Sequence, residues 1–177
     1  MEHIKRVEEE FTRQAQTFDA YAPKADDRVE DRFGDALGKA AKGVILDLAC
    51  GPGVVTAAVA RGAKKAVGFD VTPAMLEKAR KRCAEAGLTN VEFKQGNAEA
   101  LPFADASFDG VVTRLAIHHF ADPGLVLREV ARVLRPGGRL VVVDVVVSED
   151  AAEAALQNAI ENLRDPSHLR MLPATGL

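Results

Sequence analysis

The stretch Val44-Ile45-Leu46-Asp47-Leu48-Ala49-Cys50-Gly51-Pro52-Gly53 decides the reading of this chain. An apolar run of strand length breaks into a glycine turn, and a helical pattern from Val54 to Arg61 follows and closes near Gly62. Two glycines permit close backbone approach to a ligand, and the first turn of the next helix offers unpaired N–H groups to electronegative atoms. A second apolar run, Ala66-Val67-Gly68-Phe69, ends in Asp70, nineteen positions after Gly51. That is near the roughly 20-residue spacing at which an acidic side chain holds ribose hydroxyls in Rossmann-type sites. The pair predicts a ligand that carries adenosine. Thr56 stands where G-x-G-x-x-G would place its third glycine, so a ligand without a pyrophosphate fits better.

Outward from this core the pattern repeats. Thr72-Pro73 supplies an N-cap and a proline at N1 for a helix running to Gly87, and Val91 to Lys94 alternates as a third strand. Phe108 to Thr113 reads as the fourth strand. Asp122-Pro123 opens a helix to about Leu134, Pro136-Gly137-Gly138 turns the chain, and Leu140 to Val147 reads as the fifth strand. Strands alternating with helices predict an α/β fold with a parallel sheet, right-handed crossovers and a ligand crevice at the carboxyl strand ends. Asp47 to Gly53, Asp70, Asn97 and Thr113-Arg114 all fall at those ends. Ahead of the core, Ile4, Val7, Phe11, Ala15, Phe18 and Ala22 recur at steps of three or four, the mark of an amphipathic helix that Pro23 ends or bends. Glu149 to Glu161 reads as a helix with a solvated face.

The segments LDLACGPG, VGFDVTPAML, GNAEALPFADASFDGVV, LAIHHF and LREVARVLRPGGRLVVVD, in this order, resemble the motifs of class I S-adenosylmethionine-dependent methyltransferases, over about residues 42 to 147. The likeness is greatest to the quinone-biosynthesis-like branch, whose members methylate many small molecules. The resemblance implies a Rossmann-like doubly wound sheet of about five strands in the order 3-2-1-4-5, helices on both faces and an N-terminal capping helix. It divides the chain into a cap (1–40), a cofactor-binding core (41–147) and a C-terminal helix and lid (148–177). The family continues through two final strands that are not found after the LRDPSHLR segment at residues 163–170, so a shortened member is expected. The Val-rich fifth strand then becomes an edge, and an apolar edge invites pairing with another chain, a route to homo-oligomers.

What the resemblance implies for the site can be stated residue by residue. Gly51 and Gly53 let the backbone approach the methionyl part of S-adenosylmethionine, while Asp47 orients the turn or reaches the cofactor's amino group through water. Asp70 takes the ribose hydroxyls, Met75 packs on the adenine face, and Asn97, where the family usually has aspartate, accepts from the adenine amino group without charge assistance. Ala49, Val71 and Ala98 complete this set, with Arg114 at the sulfonium end. Phe18 or Tyr21 contacts the ligand from the leading helix, or packs plainly in the core. His118 and His119 face the acceptor and take a proton from it, or are structural. Arg164, Asp165 and His168 form part of an acceptor-side lid, or a turn.

Bulk properties narrow the classes. The 23 basic and 26 acidic residues leave a net charge of −3, which provides no field to draw in nucleic acid. Cys50 and Cys83 form no metal-ligand pattern and read as reduced thiols in a cytosolic setting, and no segment reads as a leader or membrane span. No G-x-S-x-G, H-E-x-x-H or Walker sequence is present, so no metal is expected, and S-adenosylhomocysteine is the expected product. Three rivals stand beside a small-molecule methyltransferase. They are a non-catalytic core that holds the cofactor or its demethylated product, a nicotinamide-dependent oxidoreductase, and a self-associating fragment with no ligand.

Overall fold

A computed structural model describes residues 2–15 and 27–176 of the chain. Five parallel strands form the sheet: β1 (Val44–Leu48), β2 (Lys65–Asp70), β3 (Val91–Gln95), β4 (Phe108–Arg114) and β5 (Leu134–Val143), in the order β3-β2-β1-β4-β5. The expected order is the observed one. The switch in strand order falls between β1 and β4, which pair through Ile45 with Gly110 and Asp47 with Val112, so a crevice opens at their carboxyl ends.

Alternation along the strands builds two cores. Leu46, Leu48, Val67, Phe69 and Val111 point to one face, where Val126, Val130 and Val133 of helix α5 (Pro123–Val133) cover them. Ile45, Ala66 and Val112 point to the other face, against Phe33 and Leu37 of α2 (Asp27–Leu37) and Val55 and Val59 of α3 (Val54–Ala60). Helix α4 (Pro73–Glu85) buries Leu76, Ala79 and Cys83. The amphipathic helix α1 (Glu2–Ala15) packs against α4. Local signals place most boundaries: Asp122 accepts from the Leu125 N–H at 2.8 Å to cap α5, and Asp150 caps α6 (Ala151–Arg164). Thr72 takes the N-cap position of α4 as expected, but its side chain makes no capping bond.

The fifth strand departs from expectation. It starts earlier, at Leu134, and ends at Val143, because the Asp144 carboxylate turns away to accept from the Ile117 N–H at 2.7 Å and to meet the His118 ring. Val146–Val147 (β6) leaves the main sheet and pairs in parallel with Leu172–Pro173 (β7). Among the described residues no strand covers the outer border of β5.

Gly53 illustrates how tightly the first turn is built. Its φ is +77°, and a Cβ there would lie 2.7 Å from the Ala79 side chain and 2.9 Å from its backbone. Gly87 has a similar φ, +68°, with open space around it. Left-handed backbone costs an L-residue roughly 1–2 kcal/mol and overpacking adds roughly 1–3. Gly53→Ala should therefore lose about 2–5 kcal/mol in urea denaturation and Gly87→Ala only about 1–2; equal losses would show that the contact of α3 with α4 is not tight.

Candidate functional site

A cavity of about 570 Å³ lies over the carboxyl ends of β1, β2 and β4. Its floor begins at Asp47, which is 1% exposed and accepts a 2.5 Å hydrogen bond from the Thr56 hydroxyl. Thr56, the residue that replaces the third glycine of the dinucleotide pattern, thus serves as the partner of the strand-end acid. Burial, with the nearby Asp70 charge adding to it, pushes the Asp47 carboxyl up to about 7, and the Thr56 hydrogen bond only partly opposes this.

Asp70 ends β2 and ties two backbone segments together. Its carboxylate accepts from the Gly51 N–H at 2.8 Å and from the Thr72 N–H at 2.9 Å. Burial raises its pKa despite these bonds. A carboxylate offers about four lone-pair sites, and these two backbone bonds hold it at the rim of the cavity. Gly51 has φ +50°, and a Cβ there would meet no protein atom within 4 Å: the free space is the cavity itself.

Asp47, Ala49, Gly51, Asp70, Val71, Met75, Asn97, Ala98, Arg114, His118 and His119 all line this one cavity. Gly53 does not; its missing side chain faces Ala79. Phe18 and Tyr21 lie outside the described residues. The leading helix instead presents His3, Ile4, Val7, Phe11 and Gln14 to the cavity. Asn97 spends part of its amide oxygen on the Glu99 N–H, at 3.0 Å, which leaves one lone pair for a ligand. The loop after it is held from α5, where the Arg132 guanidinium donates to the Leu101 and Phe103 carbonyls and Glu129 accepts from the Leu101 N–H at 2.8 Å. The motifs at 96–112 and 127–144 are thus one mechanical unit.

The opposite wall carries histidines. His118 Nδ1 donates to Asp144 at 2.5 Å and His119 Nδ1 donates to the Ser167 carbonyl at 3.1 Å. Burial holds the His119 ring down to about 4. His168 stacks on His118 with ring centres 4.7 Å apart. Arg164, Asp165 and His168 line the cavity as well, so the LRDPSHLR segment belongs to its wall. Helix α1 closes over it through His3, which donates to the His119 carbonyl at 2.8 Å, and Phe11, whose ring meets His119 edge-on. Sequence reasoning missed Asp144, visible only as an acid interrupting a valine run, and the α1 residues that reach the ligand space.

The methyltransferase-domain family matches residues 39–171, and the chain belongs to that family. It is 43% identical over 126 residues to the uncharacterized methyltransferase YcgJ of Bacillus subtilis, covering 71% of this chain and 50% of YcgJ. The YcgJ crystal structure superposes with a TM-score of 0.79 at 37% identity, covering 85% of this chain and 64% of that one. The ubiquinone/menaquinone biosynthesis C-methyltransferase UbiE of Hahella chejuensis is 38% identical over 153 residues, 78% of this chain and 61% of UbiE. The crystal structure of the [4+2]-cyclase SpnF gives a TM-score of 0.72 at 29% identity, covering 85% of this chain and 53% of that one. The chain therefore spans about half to two thirds of the length of these relatives. Among the described residues no helix is long and apolar enough to cross a membrane.

Asp47 sets a pH signature. Its folded pKa lies above its unfolded value, so between about pH 4 and 7 the native state binds more protons than the unfolded one, and stability falls as pH rises through that window. Asp47→Asn keeps the acceptor for Thr56 and removes the titration. The stability lost by the wild type between pH 5 and pH 8 in urea denaturation should exceed that lost by the variant by about 1–3 kcal/mol. Parallel pH profiles would mean that Asp47 is ionised throughout.

Proposed function

We propose that this chain binds S-adenosylmethionine in the cavity and transfers its methyl group to a small-molecule acceptor. The observation that carries the reading is the pair of buried carboxylates, Asp47 and Asp70, set around a glycine turn with vacant space above Gly51. Both are held toward the neutral form by burial, and a cationic ligand beside them relieves that cost. Gly51 would face the methionyl chain and Asp47 its amino group, Asp70 the ribose, Met75, Val71 and Ala98 the adenine faces, and Asn97 the adenine amino group. Residues 41–147 act as the cofactor-binding core, with 1–40 as cap and 148–177 as lid.

When bound, S-adenosylmethionine supplies a methyl group already activated on a sulfonium, and S-adenosylhomocysteine remains as product. The work left to the protein is to align the acceptor and exclude water. Arg114, Leu115, His118 and His119 form the acceptor wall, and α1 with the 165–171 segment covers it. A cavity of this size favours a small molecule, as the net charge of −3 disfavours a nucleic acid. SpnF carries a cyclase name and UbiE a C-methyltransferase name on one fold, so binding and turnover are best read apart.

Calorimetric titration with S-adenosylmethionine and S-adenosylhomocysteine tests the reading without knowledge of the acceptor. Both should bind, and Asp70→Ala should weaken them at least about tenfold, since a hydrogen bond to a charged group contributes about 1.5–3 kcal/mol. Folded protein that binds neither ligand, or binds NAD more tightly, would sink the proposal. For the border of β5 that no described strand covers, we propose self-association. Sedimentation across a concentration series should show a dimer that Val143→Lys disperses, as Val143 is 43% exposed beside that border.

A further inference from the structure

Two of the histidines on the acceptor wall are adjacent in sequence and the third comes from the far end of the chain. His118 and His119 lie on the short turn after β4, and the His168 ring arrives because the Leu169 N–H donates to the His118 carbonyl at 3.0 Å. One ring nitrogen from each lies within 4.8 Å of the other two. The Asp144 carboxylate and the Ser167 carbonyl are pure acceptors, so the Nδ1 atoms of His118 and His119 carry the hydrogens. A metal ion would then meet the Nε2 atoms, whose lone pairs are free once no proton sits there. His168 Nε2 is buried without a hydrogen-bond partner, on a residue only 5% exposed. A buried ring nitrogen left unpaired is costly, and calls for an occupant beside it.

We propose that His118, His119 and His168 form a three-histidine site for one divalent transition-metal ion, of the zinc type, with a coordination position open to the cavity. Three features support it. The outer hydrogen bonds match the pattern that orients metal-bound imidazoles, one ring donating to a carboxylate and another to a backbone carbonyl. Imidazole donors suit zinc, cobalt, nickel and iron(II), and three protein ligands with a vacant position typify sites that bind a substrate atom. Asp144, on His118, and Asp165, bonded to Ser167 at 2.6 Å, place two carboxylates around the trio to offset a dication. Bonds of about 2.1 Å at tetrahedral angles set nitrogens about 3.5 Å apart, so on binding the nitrogens must draw together by about an ångström and the His168 ring must turn out of its stack on His118, both by side-chain rotation. Where an acceptor's oxygen fills the open position, a step that rests on the methyl-transfer reading above, the metal would draw electron density from it and fix its place opposite the cofactor.

The spacing of this set, two adjacent histidines and a third some fifty positions on, matches no recognised zinc sequence, which is why no metal was expected from the motifs. The test uses the full chain without a histidine tag, stripped with a chelator, and titrated with zinc by calorimetry and with cobalt by visible absorption. One equivalent should bind, with the intense visible bands of four- or five-coordinate cobalt. His168→Ala should lower zinc affinity by at least about tenfold, and Asp144→Asn by about 10- to 100-fold. If His168→Ala fails to fold, His168→Gln keeps the volume and removes the ring. Zinc binding weaker than about 100 μM, or affinity unchanged in both His168→Ala and His118→Ala, overturns the site. Titration of the same samples with S-adenosylmethionine reads the cofactor proposal separately: metal bound without cofactor leaves the histidine site standing, and cofactor bound without metal removes it.

Discussion

The carboxylate of Asp70 is the constraint on which the rest of the site depends. Parallel strands do not hydrogen-bond beyond their ends, so the loops that leave β1 and β2 need another means of staying in register. Asp70 provides it by accepting from Gly51 at the end of the first loop and from Thr72 at the start of α4. The Gly51 turn, the helix start and the space between them are thereby set by one side chain. Remote carboxylates repeat the device: Asp109 accepts from the Val44 N–H at 2.7 Å and pairs with Arg135 at the amino end of the sheet, and Glu129 holds the Leu101 loop. Backbone N–H groups at loop ends are satisfied by acids in place of strand neighbours.

How much of this was legible in the sequence depended on whether the signal was local. The strand-to-turn run at 44–53, the acid ending β2, the Asp-Pro start of α5 and the amphipathic α1 as far as Ala15 are local patterns of period, cap and breaker, and each reappears in the structure, while Phe18, Ala22 and Pro23 lie outside the described residues. The bounds of β5 were not legible, because Asp144 leaves the strand only to meet Ile117 and His118, a contact with no trace in the valine run around it. The motif presents Gly53 as a ligand-facing glycine, whereas its missing side chain makes room for Ala79. Thr56 was read as a defect in a glycine pattern, and its meaning appears only with its bond to Asp47. The histidine cluster joins segments that sequence spacing cannot bring together.

The two walls of the cavity differ in chemistry, and the difference has a direction. Around the glycine turn stand carboxylates with no basic partner at hydrogen-bond distance among the described residues; across the cavity stand imidazoles held neutral or backed by carboxylates. The first environment favours a cation that donates hydrogen bonds. The second favours a group with a lone-pair acceptor or a metal between the rings. A site that must hold two different molecules side by side gains selectivity from such an opposition, because each molecule is poorly matched to the other's wall.

The unfavourable features of the fold also gather here. Two of the three described non-glycine residues with left-handed backbone, Ala49 and Leu115, follow β1 and β4 here at φ 55° and 54°, while Ala106 lies before β4 at the other end of the sheet, each at a cost of roughly 1–2 kcal/mol. Asp47 and Asp70 are buried with raised pKa values, and His168 Nε2 lacks a partner. At the amino end of the sheet, by contrast, Asp109 is paired and its pKa is lowered. A chain free to optimise stability alone would have relaxed such strain by ordinary substitution, and strain that persists in one place marks where the structure is shaped for something it must receive. The same features that lower the stability of the ligand-free protein are those that binding would relieve. Helix α1 and the 165–171 segment both bond to the histidine turn, so the cover of the cavity and its histidine wall are held as one piece.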